Sequence, residues 1–320
     1  MVNLEKKVVG VDVSSKFLTM SFKNEHNQEI VINIGNLKKD IVGYLKKLKK
    51  EDYKVVVEAT GSYSSKILYY SYSMGFDVCR VSPLTSKKYA EVKNQISKTD
   101  DEDAKLIRDF GEKMELSLYE PKNENLEFLE QELTLWQDLE QEKVRFSLKL
   151  KSLRQKARLN KEVLKHYETL IDSLQKEIEK LQKRLPRLED GELKENKDLL
   201  KSINGIGEKT SLLLLVATNH FKDFKHSKSV SKYFGVAPRM YHSGNKKVTI
   251  GKCRTSKEHI RSILFICSWS AVKCNPQCKA LYERKGKCKK LALIAVCNKL
   301  LRQAFGIIKS KNQYQLDFVK

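Results

Sequence analysis

The order of elements in the first third of the chain constrains the fold most. Lys7–Val13 (KVVGVDV) has the continuous apolar pattern of a buried strand. Phe17–Lys23 and Glu29–Ile34 alternate enough to be the next two strands, and the turn-prone residues Asn24–Gln28 separate them. Three strands that follow one another this closely predict a meander at the start of the domain.

Helices and strands alternate after this meander. Leu37–Lys49 repeats apolar residues at helical spacing, Lys54–Glu58 is a short buried strand, and Ser64–Met74 a helix. Phe76–Val81 forms a fifth strand, and a further helix begins near Thr99, whose hydroxyl can cap it. This order predicts an α/β domain of the ribonuclease-H-like class over residues 1–121.

Residues 122–198 are predicted to be helical, with a bend near Asn160. Seven apolar residues step alternately by three and four, as in a heptad seam: Leu164, Tyr167, Ile171, Leu174, Ile178, Leu181 and Leu185. An antiparallel pair within one chain and a coiled coil between chains both fit this seam. Pro186 and the polar run Glu189–Asp198 predict a linker.

The positive charge lies almost entirely in the last third of the chain. The chain has a net charge of +22, and residues 199–320 hold 25 Lys and Arg against five Asp and Glu. Such asymmetry indicates a polyanionic partner, and we expect nucleic acid. The same residues are predicted to form a mostly helical domain, with helices at 257–273 and 288–309 and a basic loop or hairpin at 235–256.

A glycine-containing turn opens this basic domain. Gly205-Ile206-Gly207 stands between two apolar helical stretches and resembles a helix-hairpin-helix turn. Such a turn can present backbone N–H groups to a phosphate, with Lys209 close by. An ordinary helix–helix turn fits the same residues.

Four carboxylates of the first segment fall where the predicted fold can bring them together. Asp12 lies in an apolar strand, where a charge is costly unless it is paired, solvated or bound to a metal. Glu58 ends another strand, and Asp100 and Asp103 share one face of a helix start. Hard oxygen ligands suit Mg²⁺ or Mn²⁺, and a pair of such ions can serve phosphoryl transfer. Spacing alone does not choose among the four consecutive acids Asp100–Asp103.

Six motifs carry a resemblance to a known family. They are GVDVSSKF around Asp12, VVVEATGSY around Glu58, KTDDEDA at Lys98–Ala104, INGIGEKT, YFGVAPRMYHSG and ERKGK at Glu283–Lys287. Over essentially the whole chain they resemble the IS110 family of insertion-sequence transposases, which includes the Piv/MooV-type DNA invertases. The third motif is similar to the family's K-T-D-x-x-D-A, which selects Asp100 and Asp103.

The resemblance implies a RuvC-like domain with a DEDD site, a coiled-coil segment and a transposase domain from residue 199. It implies that Ser243, in the string His242-Ser243-Gly244, is a nucleophile that forms a phosphoserine with DNA. It also implies guidance by a structured "bridge" RNA and assembly as a dimer to tetramer.

The setting of Ser243 in the sequence is basic. Without the resemblance, a Ser-Gly pair is an ordinary turn. The cations around it can hold phosphates and are, together with Gly205, Gly207 and Lys209, the predicted nucleic-acid contacts: Arg239, Lys246, Lys247, Lys252 and Arg254.

Composition indicates a cytoplasmic, nucleoid-associated protein without membrane contact. The start of the chain lacks a signal-peptide pattern, and no apolar run was expected to approach the roughly 20 residues that cross a bilayer. The seven cysteines suit a reducing compartment. Cys274, Cys278 and their neighbours Cys267 and Cys288 allow a zinc site, but their spacing favours structural thiols.

Two other functions fit parts of the sequence. A structure-selective nuclease of the junction-resolving type would need only the carboxylates. A nucleic-acid-binding protein with a degenerate site would need only the basic domain, but the intact carboxylates argue against it.

Overall fold

The computed structural model describes residues 6–95, 99–243, 246–252, 257–285 and 288–315, with backbone alone for 239–243 and 246–252. The chain divides into two compact units, Met1–Pro121 and Lys122–Lys320. Each unit is described by itself below.

The first unit is a mixed α/β structure. Its elements are β1 (Lys7–Val13), β2 (Phe17–Lys23), β3 (Glu29–Gly35), α1 (Lys38–Leu45), β4 (Tyr53–Glu58), α2 (Ser65–Ser73), β5 (Asp77–Val81), α3 (Pro83–Val92) and α4 (Asp100–Lys113). The strand order is β3-β2-β1-β4-β5. The first three strands pair antiparallel, and β4 is parallel to both β1 and β5. The five predicted strands and the α/β class are confirmed, while the ribonuclease-H-like assignment stays a prediction.

Helices cover both faces of this sheet. Val9, Val11 and Val13 of β1 point to a core shared with α1 and α2, whereas Val8 packs with α4 on the other face. Gly10 lies on the α4 face, and a Cβ atom there would stand 2.3 Å from the backbone nitrogen of Arg108. The backbone of α4 therefore passes directly over β1, two residues before Asp12.

The ends of the helices in this unit follow local capping rules. The side chain of Thr99 accepts a hydrogen bond from the backbone N–H of Glu102 at 3.3 Å, which confirms the predicted start of α4. Helix α3 was not predicted from the sequence, although Ser82 caps it and Pro83 occupies its first position. A Ser-Pro pair in these positions is a common helix start and could have identified it.

In the residues that the structure describes, the second unit consists of helices and one hairpin. Its described elements are α5 (Glu124–Leu153), α6 (Lys161–Arg184), α7 (Gly191–Lys201), α8 (Glu208–Thr218), α9 (Ser227–Tyr233), β6 (Pro238–Ser243), β7 (Lys246–Lys252), α10 (Glu258–Cys274), α11 (Pro276–Arg284) and α12 (Lys289–Ser310). Strands β6 and β7 pair antiparallel, so the hairpin alternative for residues 235–256 is confirmed. Helices α10 and α12 match the two predicted helices, and α11 was missed.

The two long helices α5 and α6 form an antiparallel hairpin. Near the bend, Arg154 pairs with Glu168 at 2.7 Å, and at the far end Arg184 pairs with Glu132 at 2.5 Å. The predicted bend is confirmed, because the side chain of Asn160 caps α6. Contact within one chain buries the last three residues of the heptad seam, Ile178, Leu181 and Leu185. A coiled coil between chains stays a prediction.

The linker prediction for residues 189–198 is wrong. Asp190 caps α7, which covers most of that run. Part of this polar run is buried, because Lys197 pairs with Glu189 at 2.6 Å and with Glu208 at 3.1 Å, whereas its other charged residues on α7 are exposed. The predicted border at residue 199 falls inside this helix.

One hydrophobic core joins the start of α5 and the end of α6 to the helices that follow. Leu129 and Leu133 of α5 belong to it together with Leu200, Leu214 and Leu300 from the later helices. The helical hairpin therefore shares its base with the basic part of the chain.

Among the described residues there is one helix, α12, whose length and apolar composition would allow it to cross a membrane. The prediction that no apolar run approaches the length of a membrane span did not include α12, which has 22 residues. Half of the apolar stretch is buried inside the unit, where Val296, Leu300 and Ala304 lie in the core. Burial of this kind is typical of a core helix.

Candidate active site

The four predicted carboxylates lie at one edge of the first unit. Asp12 is the second-last residue of β1, and Glu58 is the last residue of β4. These strands are parallel neighbours in which Val11 is paired with Val57, so both carboxylates stand at the same level of the sheet. Asp100 and Asp103 occupy the first turn of α4, which packs on β1.

Asp12 is half-buried beside the other carboxylates. Its pKa is raised to about 6, and burial is the largest cause; a hydrogen bond from the backbone of Val13 lowers it, and the negative charges of Asp103, Glu58 and Asp100 raise it. Asp12 therefore lies within the electrostatic influence of three other carboxylates. A partly buried carboxylate with a raised pKa beside further acids is typical of functional sites.

The four consecutive acids of α4 differ in their contacts. Glu102 pairs with Lys105 at 3.0 Å. Asp100 and Asp101 are both exposed, and the negative charges of Asp100 and Asp103 raise the pKa of Asp12. The selection of Asp100 and Asp103 as site residues stays a prediction from the resemblance.

Ser86 is a residue of this site that sequence reasoning missed. Its buried hydroxyl, on α3, donates a hydrogen bond of 2.5 Å to a carboxylate oxygen of Glu58. A bond to an ionised acceptor is stronger than one between neutral groups, so Ser86 fixes the rotamer of Glu58. No sequence signal pointed to it, because α3 itself had not been predicted.

The carboxylates fit a divalent cation in ligand type and charge. All four offer hard oxygen atoms, and a cation would offset the repulsion that raises the pKa of Asp12. Within the described part of the chain, no three His, Cys, Asp or Glu side chains are already arranged tightly enough to hold an ion. Binding would therefore require the carboxylates to close around it.

Ser243 lies at the tip of the hairpin in the second unit. It is the last residue of β6 and is paired with Lys246 of β7, while His242 is paired with Lys247. Lys252 is the last residue of β7, across from Pro238, and Arg239 follows at an irregular point of β6. The predicted basic setting of Ser243 is thus two adjacent strands, and Arg254 falls outside the described residues.

The Gly205–Gly207 turn is a close helix contact. Gly205 has a φ of +109°, and a Cβ atom there would lie 2.6 Å from the Cβ of Ala271 on α10. Gly207 precedes α8 and has open space around it. The ammonium of Lys209 pairs with Glu140 and lies 4.1 Å from the ring centroid of Trp136. Close packing against Ala271 explains why a glycine stands at position 205, and the contacts with Glu140 and Trp136 explain the position of Lys209. Phosphate binding at this turn stays a prediction.

The cysteines of this unit are mostly core residues. Cys267, Cys278 and Cys297 are buried, and burial raises the pKa of both Cys278 and Cys297 to about 11. Thiols with such pKa values are poor nucleophiles near neutral pH.

Comparison with known proteins places the chain among transposases. Residues 9–158 match a DEDD transposase model of the IS110 type, and residues 197–283 match the model of the IS116/IS110/IS902 transposase family. The pilin gene-inverting protein of Moraxella bovis is 30% identical over 274 residues, which cover 81% of each chain.

Two further relatives agree with this match. The pilin gene-inverting protein of Moraxella lacunata is 27% identical over 97% of this chain and 98% of its own. The transposase of insertion sequence element IS1111A from Coxiella burnetii is 26% identical over 36% of this chain and 34% of its own. The two matched models and the full-length relatives together establish that the chain belongs to the IS110 family of transposases, enzymes that recombine DNA.

Proposed function

We propose that this transposase cuts and rejoins DNA with Asp12, Glu58, Asp100 and Asp103 as one catalytic site and Ser243 as the nucleophile. The observation that carries the proposal is the placement of Asp12 and Glu58 at the same level of two paired strands, with Asp100 and Asp103 in the first turn of the helix that packs on β1. The raised pKa of Asp12, to which the other three carboxylates contribute, agrees with this placement. A phosphoryl-transfer site that binds a cation explains such a group of acids.

The reaction exchanges one phosphodiester for another. The Oγ of Ser243 attacks the phosphorus, the Oγ–P bond forms, and the bond from phosphorus to the DNA 3′ oxygen breaks. The serine hydroxyl loses its proton, and the departing 3′ oxygen takes one up. Rejoining is the reverse step, in which a 3′ hydroxyl attacks the phosphoserine, so that no external energy source is required.

Different residues of the chain have different roles in this reaction. Two divalent ions such as Mg²⁺ or Mn²⁺, when bound, would stabilise the negative charge that develops on the attacking and leaving oxygens. Asp12, Glu58, Asp100 and Asp103 are the residues that would hold them. Ser86 orients Glu58 through its hydroxyl. Lys246 and Lys247 would hold phosphates beside Ser243, because they lie on the strand paired with it.

A nuclease that uses the carboxylates alone is the second candidate. It is favoured by the fact that the carboxylates form a cluster within the first unit without any contribution from Ser243. Cleavage by such an enzyme would leave free 5′-phosphate ends, and Ser243→Ala would not affect it. Recombination between two element ends in cells, scored by sequencing the junctions, separates the two candidates. Loss of all junctions with Ser243→Ala and with Asp12→Asn supports the recombinase.

The guide RNA, the multi-subunit assembly and a nucleoid-associated location rest on the resemblance to the family. Purification of the chain from cells that carry its native flanking DNA, followed by sequencing of bound nucleic acid, tests the RNA. One abundant RNA encoded beside the gene would support guidance. Recovery of heterogeneous RNA and DNA would argue against RNA guidance and would not affect the proposal that the chain is a recombinase.

A further inference from the structure

A large cleft opens in the second unit between α10, α11 and α12. Its volume is about 1450 Å³, and Gly235–Pro238, where β6 begins, closes one side. Sites for small ligands measure roughly 300–1,000 Å³, so this cleft has room for an extended ligand. It does not include the glycine turn or the two hairpin strands to which phosphate contacts were assigned from the sequence.

The lining of the cleft is strongly basic. Of its described lining residues, five are cationic and none is a carboxylate, and the cations are Arg261, Arg284, Lys290, Lys299 and Arg302. Arg261 pairs with the exposed Glu258 at 2.8 Å, and its second terminal nitrogen is buried without a hydrogen-bond partner. Within the part of the chain that the structure describes, the other four have no ion pair closer than 4.0 Å. Charge of one sign, unbalanced by local acids, fits a polyanion.

The floor of the same cleft is apolar. Ile266 and Leu291 are 68% and 66% exposed, and Phe265, Leu281 and Ile294 line the cleft between them. A duplex offers a cleft mainly phosphates and sugars, since its bases are stacked inside. Unpaired nucleotides offer phosphates together with the flat faces of their bases, which pack on apolar and aromatic side chains.

We propose that this cleft binds unpaired nucleotides of a nucleic-acid strand. The cations contact phosphates, and the bases lie against Ile266 and Leu291. The inference rests on the proposed function only in taking nucleic acid as the partner. It does not require Ser243 or the carboxylates, so the two can fail separately.

Charge removal in the full-length chain tests the rim of the cleft. Lys290→Gln with Arg302→Gln is compared with Lys273→Gln and Lys279→Gln, two exposed cations of α10 and α11 that do not line the cleft. Binding of a fluorescent 20-nucleotide single strand and of the matching duplex is measured in EDTA, which prevents metal-dependent cleavage. Circular dichroism confirms that each variant folds.

We expect the cleft variant to bind the single strand about 10-fold more weakly, while the control and the duplex change less than about threefold. Two lost phosphate contacts should also reduce the slope of log affinity against log salt by about 1.4. Equal losses in the cleft and control variants would overturn the proposal, and so would equal losses for the duplex and the single strand.

Leu291→Ala tests the floor, and Leu148→Ala on α5, similarly exposed at 62%, is its control. We expect only Leu291→Ala to weaken single-strand binding, by about threefold or more, with an unchanged salt slope because no charge is lost. Unchanged binding in Leu291→Ala would overturn the role of the bases. If the cleft variants instead changed only the self-association of the chain, the partner would be a second copy and the proposal would be wrong.

Discussion

The sheet edge of the first unit and the cleft of the second hold charge in opposite ways. At the edge, carboxylates from two strands and one helix lie near one another, and the pKa of Asp12 is raised, first by its own burial and then by the charges of the others. In the cleft, cations stand on the rim of an open surface, and Arg284, Lys290 and Arg302 are exposed. Concentrating charge in a rigid frame costs stability and suits chemistry, whereas spreading it over a surface costs little and suits binding.

The largest effect is expected at the acidic edge. Asp12→Asn should lower DNA strand exchange by roughly 10²–10³-fold, the usual loss when a group that stabilises the transition state is removed. Asp101→Asn, in the first turn of α4 but outside the proposed site, is the matched control and should stay within about threefold. Rates of junction formation measure both. Equal losses would mean that the negative charge of the helix start matters and the position of each carboxylate does not.

The contact between β1 and α4, which positions the carboxylates, should be sensitive to substitution in its effect on stability. A Cβ atom at Gly10 would collide with the backbone of α4, so Gly10→Ala should lower the free energy of unfolding by about 2–3 kcal/mol. Gly43, exposed in α1 with no atom near its missing Cβ, is the control, and Gly43→Ala should stabilise by roughly 0.5–1 kcal/mol. Denaturant unfolding distinguishes them. A neutral Gly10→Ala would contradict the close passage of α4 over β1.

Ser86→Ala should have a smaller effect on activity. A hydrogen bond to a charged group is worth about 1.5 kcal/mol, so its loss should slow strand exchange about 10-fold. Ser73→Ala, which removes an exposed hydroxyl on α2, should change nothing. We expect Ser86→Ala to lower the rate of strand exchange while its thermal stability stays unchanged. Full activity in Ser86→Ala would show that Glu58 is positioned without it.

Removing the buried charge should give the smallest change, and in the opposite direction. The pKa of Asp12 in the folded chain, about 6, exceeds its usual value of 3.8, so ionisation destabilises the fold above pH 6 and has no effect below about pH 4. In EDTA, Asp12→Asn should therefore be more stable than the wild type by about 1–2 kcal/mol at pH 8, after allowance for solvent screening, and equal to it near pH 4. Added Mg²⁺ should raise the melting temperature of the wild type alone. A difference that grows toward low pH would contradict the cause assigned to the shift.

The same contrast explains what the sequence could predict. The strands of the first unit were found because apolar residues such as Val55 and Val57 mark buried positions directly. The glycine turn was interpreted as a phosphate site because the contact between Gly205 and Ala271 joins residues far apart in the chain. Lys209 was assigned to phosphate for the same reason, since its partner Glu140 lies on α5.

Partners distant in sequence also explain the two clearest omissions. The run at residues 189–198 looked like a solvated linker because α7 is buried through Leu193, Leu199 and Leu200 against later helices, and Lys197 pairs with Glu208 outside the run. The cleft gave no signal in the sequence, because its cations come from three separate helices and each looks like an ordinary surface residue. Contacts between residues far apart in the chain were thus the hardest feature to predict, although α3 and α11 were also missed despite the proline at the start of each.

The central claim is that the carboxylates and Ser243 act in one strand-transfer reaction. Its most direct test is to incubate the purified transposase with labelled DNA carrying the native element ends, its co-purified RNA and Mg²⁺, and to look for a detergent-stable protein–DNA adduct. We predict that the wild type forms an adduct at the 5′ phosphate with a free 3′ hydroxyl opposite, and that both Ser243→Ala and Asp12→Asn form none. Cleavage by Ser243→Ala that leaves free 5′-phosphate ends would contradict this account and identify the enzyme as a nuclease that uses the carboxylates alone.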